Sequence, residues 1–530
     1  MTGKKASTRC RHTLILSALL SLLVSFASGA TFVDNDLVEV QVLSVNDFHG
    51  SLLPSGTTGG AAYLTTYLRQ REAENPHTLI VHAGDMVGAS PVVSSLLQDE
   101  PTIEVLQLIG FDLGVPGNHE FDEGLAELQR LIHGGRHEAT SYFVGMGFPL
   151  VLANVVDEQT GDPILPPYAI RVVGGVPLGF IGICTLETTS VVMPGGIANL
   201  RFIDPVEAIN RWVPELQAKG IEAILVLAHE GGLQLKDGSI IGPVADIARA
   251  VADEVDIIIS GHTHTYINGQ VNGKLIVQAG LHGAAFADID LVIDKTDGDV
   301  VSAQAEIIKV VTTDVDPDPR VAALVTGYEE AVKSLIDRVI AVAAHDITKA
   351  QTRGGESALG NLIADSQRHA AGTQLAFMNP GGIRTDLAAG ELTWGEAYAI
   401  QPFGNNLITF TLTGDQVRRV LNQQWQQQGD QIALRFMQIS GFGYSWDDTR
   451  PIGDKVVDIW LEDGTPVSPT ARYTVVANEF IATGGNNLTV FTEGQDRGIS
   501  YLDLDAFVMY VQQLAQPFSA TVTGRIKRLK

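Results

Sequence analysis

Seven residues in the first half of the chain share a placement that suits metal ions. Asp47, His49, Asp85, Asn118, His229, His262 and His264 each follow an apolar, strand-like run, with glycine close by every time. Imidazole, carboxylate and amide oxygen together suit zinc, manganese and similar divalent first-row ions, and seven ligands exceed what one ion takes. A carboxylate such as Asp85 can bridge two ions about 3.5–4 Å apart, an arrangement that hydrolyses phosphate esters. Beside these residues stands Gly117-Asn118-His119-Glu120-Phe121-Asp122-Glu123-Gly124, which packs an amide, an imidazole and several carboxylates into one turn. His119 and Asp122 lie three apart, close enough for the carboxylate to orient the imidazole. Alone, that stretch is equally an Asx-capped turn with an acidic first turn. The recurrence of the pattern at the other strand ends decides for chemistry.

The elements that carry these residues read as strands alternating with helices. Val38 to Val45 alternates as a strand does and ends at Asn46-Asp47-Phe48-His49-Gly50. A helical stretch, Ala61 to Glu72, leads to the strand Thr78 to His82 and then Gly84-Asp85. The same grammar returns in Ala223 to His229 and in Val255 to His264. The apolar run Leu108 to Phe111 precedes the Gly117 stretch, and Leu125, Leu128, Leu131 and Ile132 follow it at helical spacing. The expectation is a strand-to-helix junction there, within an α/β layered domain whose chemistry sits at the strands' carboxyl ends. His133, His137 and His282 lack this context and read as surface residues or as residues behind the ligands.

At 530 residues the chain is too long for one core and calls for two or more domains. Residues 1–30 read as a signal peptide. Lys4, Lys5, Arg9 and Arg11 precede the apolar run Leu14 to Phe26, which is short for a bilayer span, and Ala27-Ser28-Gly29-Ala30 offers small residues for cleavage. The expectation is export, to a periplasm or the medium, with no membrane anchor left after cleavage. The formal charge is −26, and the basic segment makes the remainder still more negative. Such a surface repels nucleic-acid polymers but leaves room for a small phosphate ligand held by local cations. Cys10 leaves with the signal, so Cys184 cannot form an intramolecular disulfide and reads as a buried strand thiol.

The motifs of the first half stand in the order seen in one family. Asn-Asp-Phe-His-Gly, Gly-Asp-Met-Val-Gly, Gly-Asn-His-Glu-Phe-Asp, Ala-His-Glu-Gly and Gly-His-Thr-His make the chain resemble the 5′-nucleotidase family of dinuclear metallophosphoesterases. The resemblance implies two divalent ions, one held by Asp47, His49, Asp85 and His264, the other by Asp85, Asn118, His229 and His262. It places the family's His-Asp dyad on His119 and Asp122, and it implies in-line attack by a metal-bridging hydroxide. Asn154 also resembles a family strand end, without direct chemistry.

A polar, proline-punctuated stretch, Thr312 to Pro319, marks a boundary and leads into an apparent helix, Val321 to Val339. The expected domains are residues 31–310, a linker helix over 311–340, and a second α/β domain over 341–530. Within it, Glu356 to Asp365 reads as an amphipathic helix, and Thr413-Gly414-Asp415-Gln416 as a capping box opening another. The second half again resembles the family, whose C-terminal domain binds substrate. Arg353 stands three before Glu356, Asn379-Pro380-Gly381-Gly382-Ile383-Arg384 matches an Asn-x-Gly-Gly-x-Arg loop, and Phe403, Asn405 and Phe480 fall in the segments that carry two base-stacking aromatics. Without the resemblance, Phe403 and Phe480 would read as core and Arg384 as a surface arginine. The family's usual aspartate after the last Gly-Gly is Asn486 here, which implies a weaker grip on ribose hydroxyls.

The expectation is therefore an exported nucleotide phosphohydrolase of 5′-nucleotidase type, with a nucleotide or nucleotide-sugar as its small-molecule partner. A 2′,3′-cyclic-nucleotide phosphodiesterase with 3′-nucleotidase activity and a UDP-sugar hydrolase are the near alternatives. A non-catalytic nucleotide-binding protein is the remote one, since no ligand or dyad position is missing.

Overall fold

The computed structural model describes residues 36–428 and 431–530, so the expected signal peptide and Cys10 lie outside the described residues. Two sheets build the first half. One has five strands in the order Val300–Lys309, Ala285–Asp294, Leu37–Val45, Thr78–His82, Leu113–Gly114, the last three parallel. The other has six, in the order Tyr266–Val271, Lys274–Ala279, Val255–Ser260, Ala223–His229, Val176–Cys184, Tyr168–Val173. Its four central strands are parallel and its two edge strands antiparallel.

The period-2 alternation of strands decides which residue meets which layer. Leu225, Leu227, Ile257 and Ile259 join the core shared with the five-stranded sheet. Their neighbours Ile224, Val226 and Ile258 turn the other way, onto the helices Pro205–Gln217 and Pro243–Ala250. Buried on both faces, such strands read as unbroken apolar runs. The parallel strands of both sheets end on one side of the molecule, where Asp47, Asp85 and His262 follow them and His229 is the last residue of its own.

Two local expectations are corrected here. Leu108–Phe111 is no strand: a helix spans Glu100–Ile109, with Pro101 in its first turn, and Gly110 closes it in a left-handed conformation (φ 102°). The strand is only Leu113–Gly114. The helix at the join runs Pro319–Ile336, capped by the Asp318 side chain, and ends before Val339, which starts a strand paired with Gly390–Thr393. Val321, Val325 and Val332 bury into the first core, so this helix belongs to the first domain's packing rather than standing free as a spacer.

The second half is α/β with a five-stranded mixed sheet in the order Gln438–Ser440, Leu375–Met378, Arg472–Asn478, Asn406–Thr413, Gln495–Leu502. The helix Ala358–Ala371, capped by Ser357, and the helix Asp503–Gln513 pack against each other beside it. The capping box at Thr413 and Gln416 forms as expected. An aromatic cluster of Trp425, Phe436 and Trp446 fills the other side of the sheet. The strand ends of this sheet carry Asn379 and Asn478 towards the first domain's cluster.

Candidate active site

Five of the seven candidate ligands sit where the backbone turns left-handed: Asp47 (φ 50°), His49 (φ 46°), Asp85 (φ 51°), His262 (φ 73°) and His264 (φ 57°). Such φ values cost an L residue free energy, though Asp and His tolerate them better than most. The turns hold because the loops of the two sheets bond to each other. The His262 amide donates to both carboxylate oxygens of Asp47 at 3.0 Å, the His282 amide to the Asp47 carbonyl at 2.7 Å, and Asn46 Nδ2 to the Gly280 carbonyl at 2.8 Å. Glu120 ties the remaining loops. Its buried carboxylate accepts from the amides of Gly117 at 2.6 Å, Asp85 at 3.0 Å and Met86 at 2.8 Å, fixing Asp85 beside the Asn118 turn. Burial and nearby Asp85 push the Glu120 pKa up to about 7.

The ligand atoms converge in two groups. Asp47, His49 and His264 form one and Asp85, His229 and His262 the other, each with its atoms within 4.8 Å of one another. Asp85 also groups with His49 and His119, which puts it between the two. Asn118 Oδ1 lies 3.2 Å from His229 Nε2, and Asp85 Oδ2 lies 3.1 Å from the same nitrogen. The groups behind the ligands also fit a cation. His49 Nδ1 is 3.0 Å from the Gly88 carbonyl and His229 Nδ1 is 2.8 Å from the Ala83 carbonyl, so each Nδ1–H can donate there and leave Nε2 free as a ligand. His49 Nε2 and His264 Nε2 stand 3.2 Å apart, aimed at one point.

The electrostatics agree. Burial opposes a charge on His229, yet Asp85 and Asp47 outweigh it and raise its pKa to about 10. Excess negative charge is thus built into the cluster, which a bound cation would neutralise. The donor set, its preset tautomers and this field fit divalent metal ions.

His119 Nδ1 lies 2.6 Å from Asp122 Oδ2, and the His119 amide donates to Asp85 Oδ1 at 2.8 Å. His119 opens a one-turn 3₁₀ segment, His119–Phe121, and Asp122 closes it, ahead of the helix Leu125–His133 rather than on that helix. Burial works against a charged His119, but Asp122 and Asp85 prevail and raise its pKa to about 9.

A cavity of about 700 Å³ opens from the cluster and is walled on its far side by the second half of the chain. Asn379, Arg384, Phe403, Asn405, Phe480 and Asn486 all line it. Phe403 stands parallel to His119, ring centres 6.2 Å apart, and Arg384 lies over the same ring at 5.7 Å. Asn379 Oδ1 accepts from Asn478 Nδ2 at 2.8 Å, and Asn405 Oδ1 from the Phe480 amide at 3.3 Å, bracing the two loops.

Arg353 is the exception. It is exposed and does not line the cavity. Glu356, three residues on, is buried and accepts from the Thr523 and Gly524 amides, which holds this turn against the C-terminal segment instead. Asn154 is structural, pairing with the Cys184 backbone through both ends of its amide, and Cys184 is buried. His282 stands at the edge of the cluster, its ring 5.9 Å from that of His49. Sequence reasoning did not single out Glu120 as an anchor, nor Glu187, whose Oε2 lies 3.1 Å from His262 Nε2, nor Arg435 in the cavity wall.

Comparison with known proteins follows the same division. Residues 40–266 match the family of calcineurin-like phosphoesterases, and residues 339–493 match the 5′-nucleotidase C-terminal domain. Endonuclease YhcR of Bacillus subtilis is 42% identical over 508 residues; the match covers 92% of this chain but only 41% of that protein's length. Cell wall protein Lmo0130 of Listeria monocytogenes is 34% identical, with 97% of this chain and 72% of that protein covered. The crystal structure of a 5′-nucleotidase precursor from Thermus thermophilus superposes with a TM-score of 0.77 at 30% identity, covering 93% of this chain and 99% of that one.

Proposed function

Because the chain belongs to the 5′-nucleotidase family of metallophosphoesterases, and is thus a metal-dependent phosphohydrolase of nucleotides, we propose that it removes the 5′-phosphate of a nucleotide outside the cell membrane. The observation that carries this reading is one cavity with both halves of the task on its walls. The Asp85 cluster and His119 stand on one side, Arg384 and two aromatic rings on the other.

Asp47, His49, Asp85 and His264 would hold one ion and Asp85, Asn118, His229 and His262 the second. When bound, such ions neutralise phosphate charge and make water nucleophilic near neutral pH. The chain's own residues do the rest. Phe403 and Phe480 stack the base, and Arg384 donates to phosphate oxygens with its planar fork. His119, held at Nδ1 by Asp122, presents a proton at Nε2 to the oxygen that leaves with the nucleoside. Asp122 keeps the ring in place and compensates its charge. Asn379 and Asn405 brace the loops that carry the arginine and the rings.

Residues 1–30 support export, and among the described residues no helix is long and apolar enough to cross a membrane. Expression with the native N-terminus, followed by N-terminal sequencing of protein recovered outside the cytoplasm, tests this; a mature start near residue 31 is expected. The substrate test is a panel of AMP, 2′,3′-cyclic AMP, UDP-glucose and single-stranded DNA with metal-reconstituted protein. AMP is expected to give the highest kcat/KM and chelation to abolish it. A higher value for a diester or for DNA would replace this reading with a phosphodiesterase, which the similarity to an endonuclease brings into the panel.

A further inference from the structure

The second domain's share of the cavity carries charge of one sign. Among the described residues that line it, Arg384 and Arg435 are its only charged groups, whereas Asp85, Asp99, Asp122 and the other lining acids all come from the first domain. The two guanidiniums stand in different surroundings. Arg384 lies over Phe403, on the His119 side, within reach of the fields of Asp122 and Asp85. Arg435 follows the strand Gln431–Leu434, half-buried, and its Nη1 is 3.4 Å from Asn486 Oδ1. Among the described residues no carboxylate pairs with it.

Asn486 is built into that end. It is buried and left-handed (φ 55°), its carbonyl accepts from Gln426 Nε2 at 2.5 Å, and Gly485 before it packs under the Phe480 ring. An aspartate here would neutralise the guanidinium and repel anions. The amide instead turns an oxygen onto Arg435 and adds no charge. A guanidinium offers five N–H donors in a planar fork that matches phosphate, and among the described residues most of these have no partner in the wall.

We propose that Arg435 and Asn486 form a second anion subsite, so that the preferred substrate is a nucleotide with a second phosphate on its ribose, such as a nucleoside 3′,5′-bisphosphate. This rests on the nucleotide-phosphatase reading above and names its substrate class. The scissile phosphate belongs beside Asp85 and His119, where Arg384 serves it. Arg435, held beside Asn486, whose neighbour Gly485 packs under the Phe480 ring, meets a group attached to the sugar near the stacked base. A neutral ribose hydroxyl gains less from a guanidinium than a phosphate does, because a charge-assisted, forked bond is roughly twice as strong.

The test is phosphate release from adenosine 3′,5′-bisphosphate and from AMP by the full, metal-loaded chain. Expected is a kcat/KM about 10-fold or more higher for the bisphosphate, which is about 1.4 kcal/mol. Arg435→Gln is expected to bring the ratio near one, and Arg435→Lys to keep an intermediate preference, since a point charge remains without the fork. Should Arg435→Gln be inactive on both compounds, Asn486→Asp supplies the same test, because a carboxylate beside Arg435 must lower the ratio. Equal kcat/KM values in the parent, or a preference that survives these substitutions, overturn the subsite and leave the nucleotide-phosphatase reading standing. Hydrolysis of neither compound overturns both.

Discussion

The two walls of the cavity are made in opposite ways. On the first domain's side, side chains project from the ends of parallel strands buried on both faces, and their loops bond to one another through buried carboxylates and carbonyls. On the second domain's side, the lining comes from loops and a hairpin base, with half-buried rings and guanidiniums. The first wall is cross-tied by buried hydrogen bonds, which suits the fixed geometry that phosphoryl transfer requires. On the proposed function the second accepts a base and a sugar and lets them leave, through stacking and forked hydrogen bonds that tolerate small displacements. The proposed function thereby gives chemistry and selectivity to different domains.

The sharpest way to break this division is Asp85→Ala. Because this carboxylate groups with His229 and His262 and also with His49, its loss is expected to remove nearly all activity on every substrate and to reduce bound divalent metal, measured by elemental analysis. Full activity in that variant would dissolve the distinction between the walls. Next in size, His119→Ala is expected to lower kcat by roughly 10²–10⁴-fold while metal content stays near that of the parent. Loss of metal together with activity would make His119 a ligand. On the other wall, Phe480→Ala is expected to raise KM for AMP about 10-fold, within the range of base stacking, and to leave KM for p-nitrophenyl phosphate alone. A fall in kcat on both substrates would mean that the second wall takes part in the chemistry.

A fourth prediction leaves activity aside and concerns the stability of the first wall. His82 ends a central strand, 2% exposed, its Nδ1 accepting from the Gly84 amide and its ring against Gly114, Phe111 and Phe148. Burial lowers its pKa to about 3. The unfolded chain therefore takes up a proton near pH 6.5 that the folded chain refuses down to about pH 3. The associated stability is complete above pH 6.5 and falls by about 1.4 kcal/mol per unit below it. In urea unfolding between pH 6.5 and pH 4, His82→Leu should show a shallower decline than the parent by about one proton. Parallel declines would show that this imidazole is not held neutral.

The same contrast explains what could be read from the chain before its structure. All seven candidate ligands were legible because His, Asp and Asn seldom end unbroken apolar runs, and the structure brings all seven to one place. The dyad was legible from its spacing, though its 3₁₀ setting was not: Gly124 stops the segment before the helix starts. Glu100-Pro101 and Gly110 were present as helix start and stop signals, yet the apolar run between them looked equally like a strand. The second wall was legible only through family resemblance, since a loop phenylalanine carries no local mark of stacking a base. Arg353 shows the cost of that dependence, because motif spacing says nothing of how buried Glu356 orients its turn. Arg435 left no signal, as only the folded hairpin sets it beside Asn486.

The left-handed backbone at Asp47, His49, Asp85, His262 and His264 has a consequence for engineering. At His264, the least buried of them, glycine would relax the backbone by an amount on the order of 1 kcal/mol, whereas at Asp47 or Asp85 it would also remove the carboxylates that accept from the His262 and His119 amides. A library of this protein ranked by melting temperature in a chelating buffer would therefore enrich glycine at a position proposed to hold an ion. On the proposed mechanism, the most heat-resistant clones would be among the least active ones. With saturating metal in the buffer the ranking should reverse, because binding energy available only to the native ligands then adds to the folded state. The choice of buffer would decide whether selection for thermal robustness preserves the catalyst or erases it.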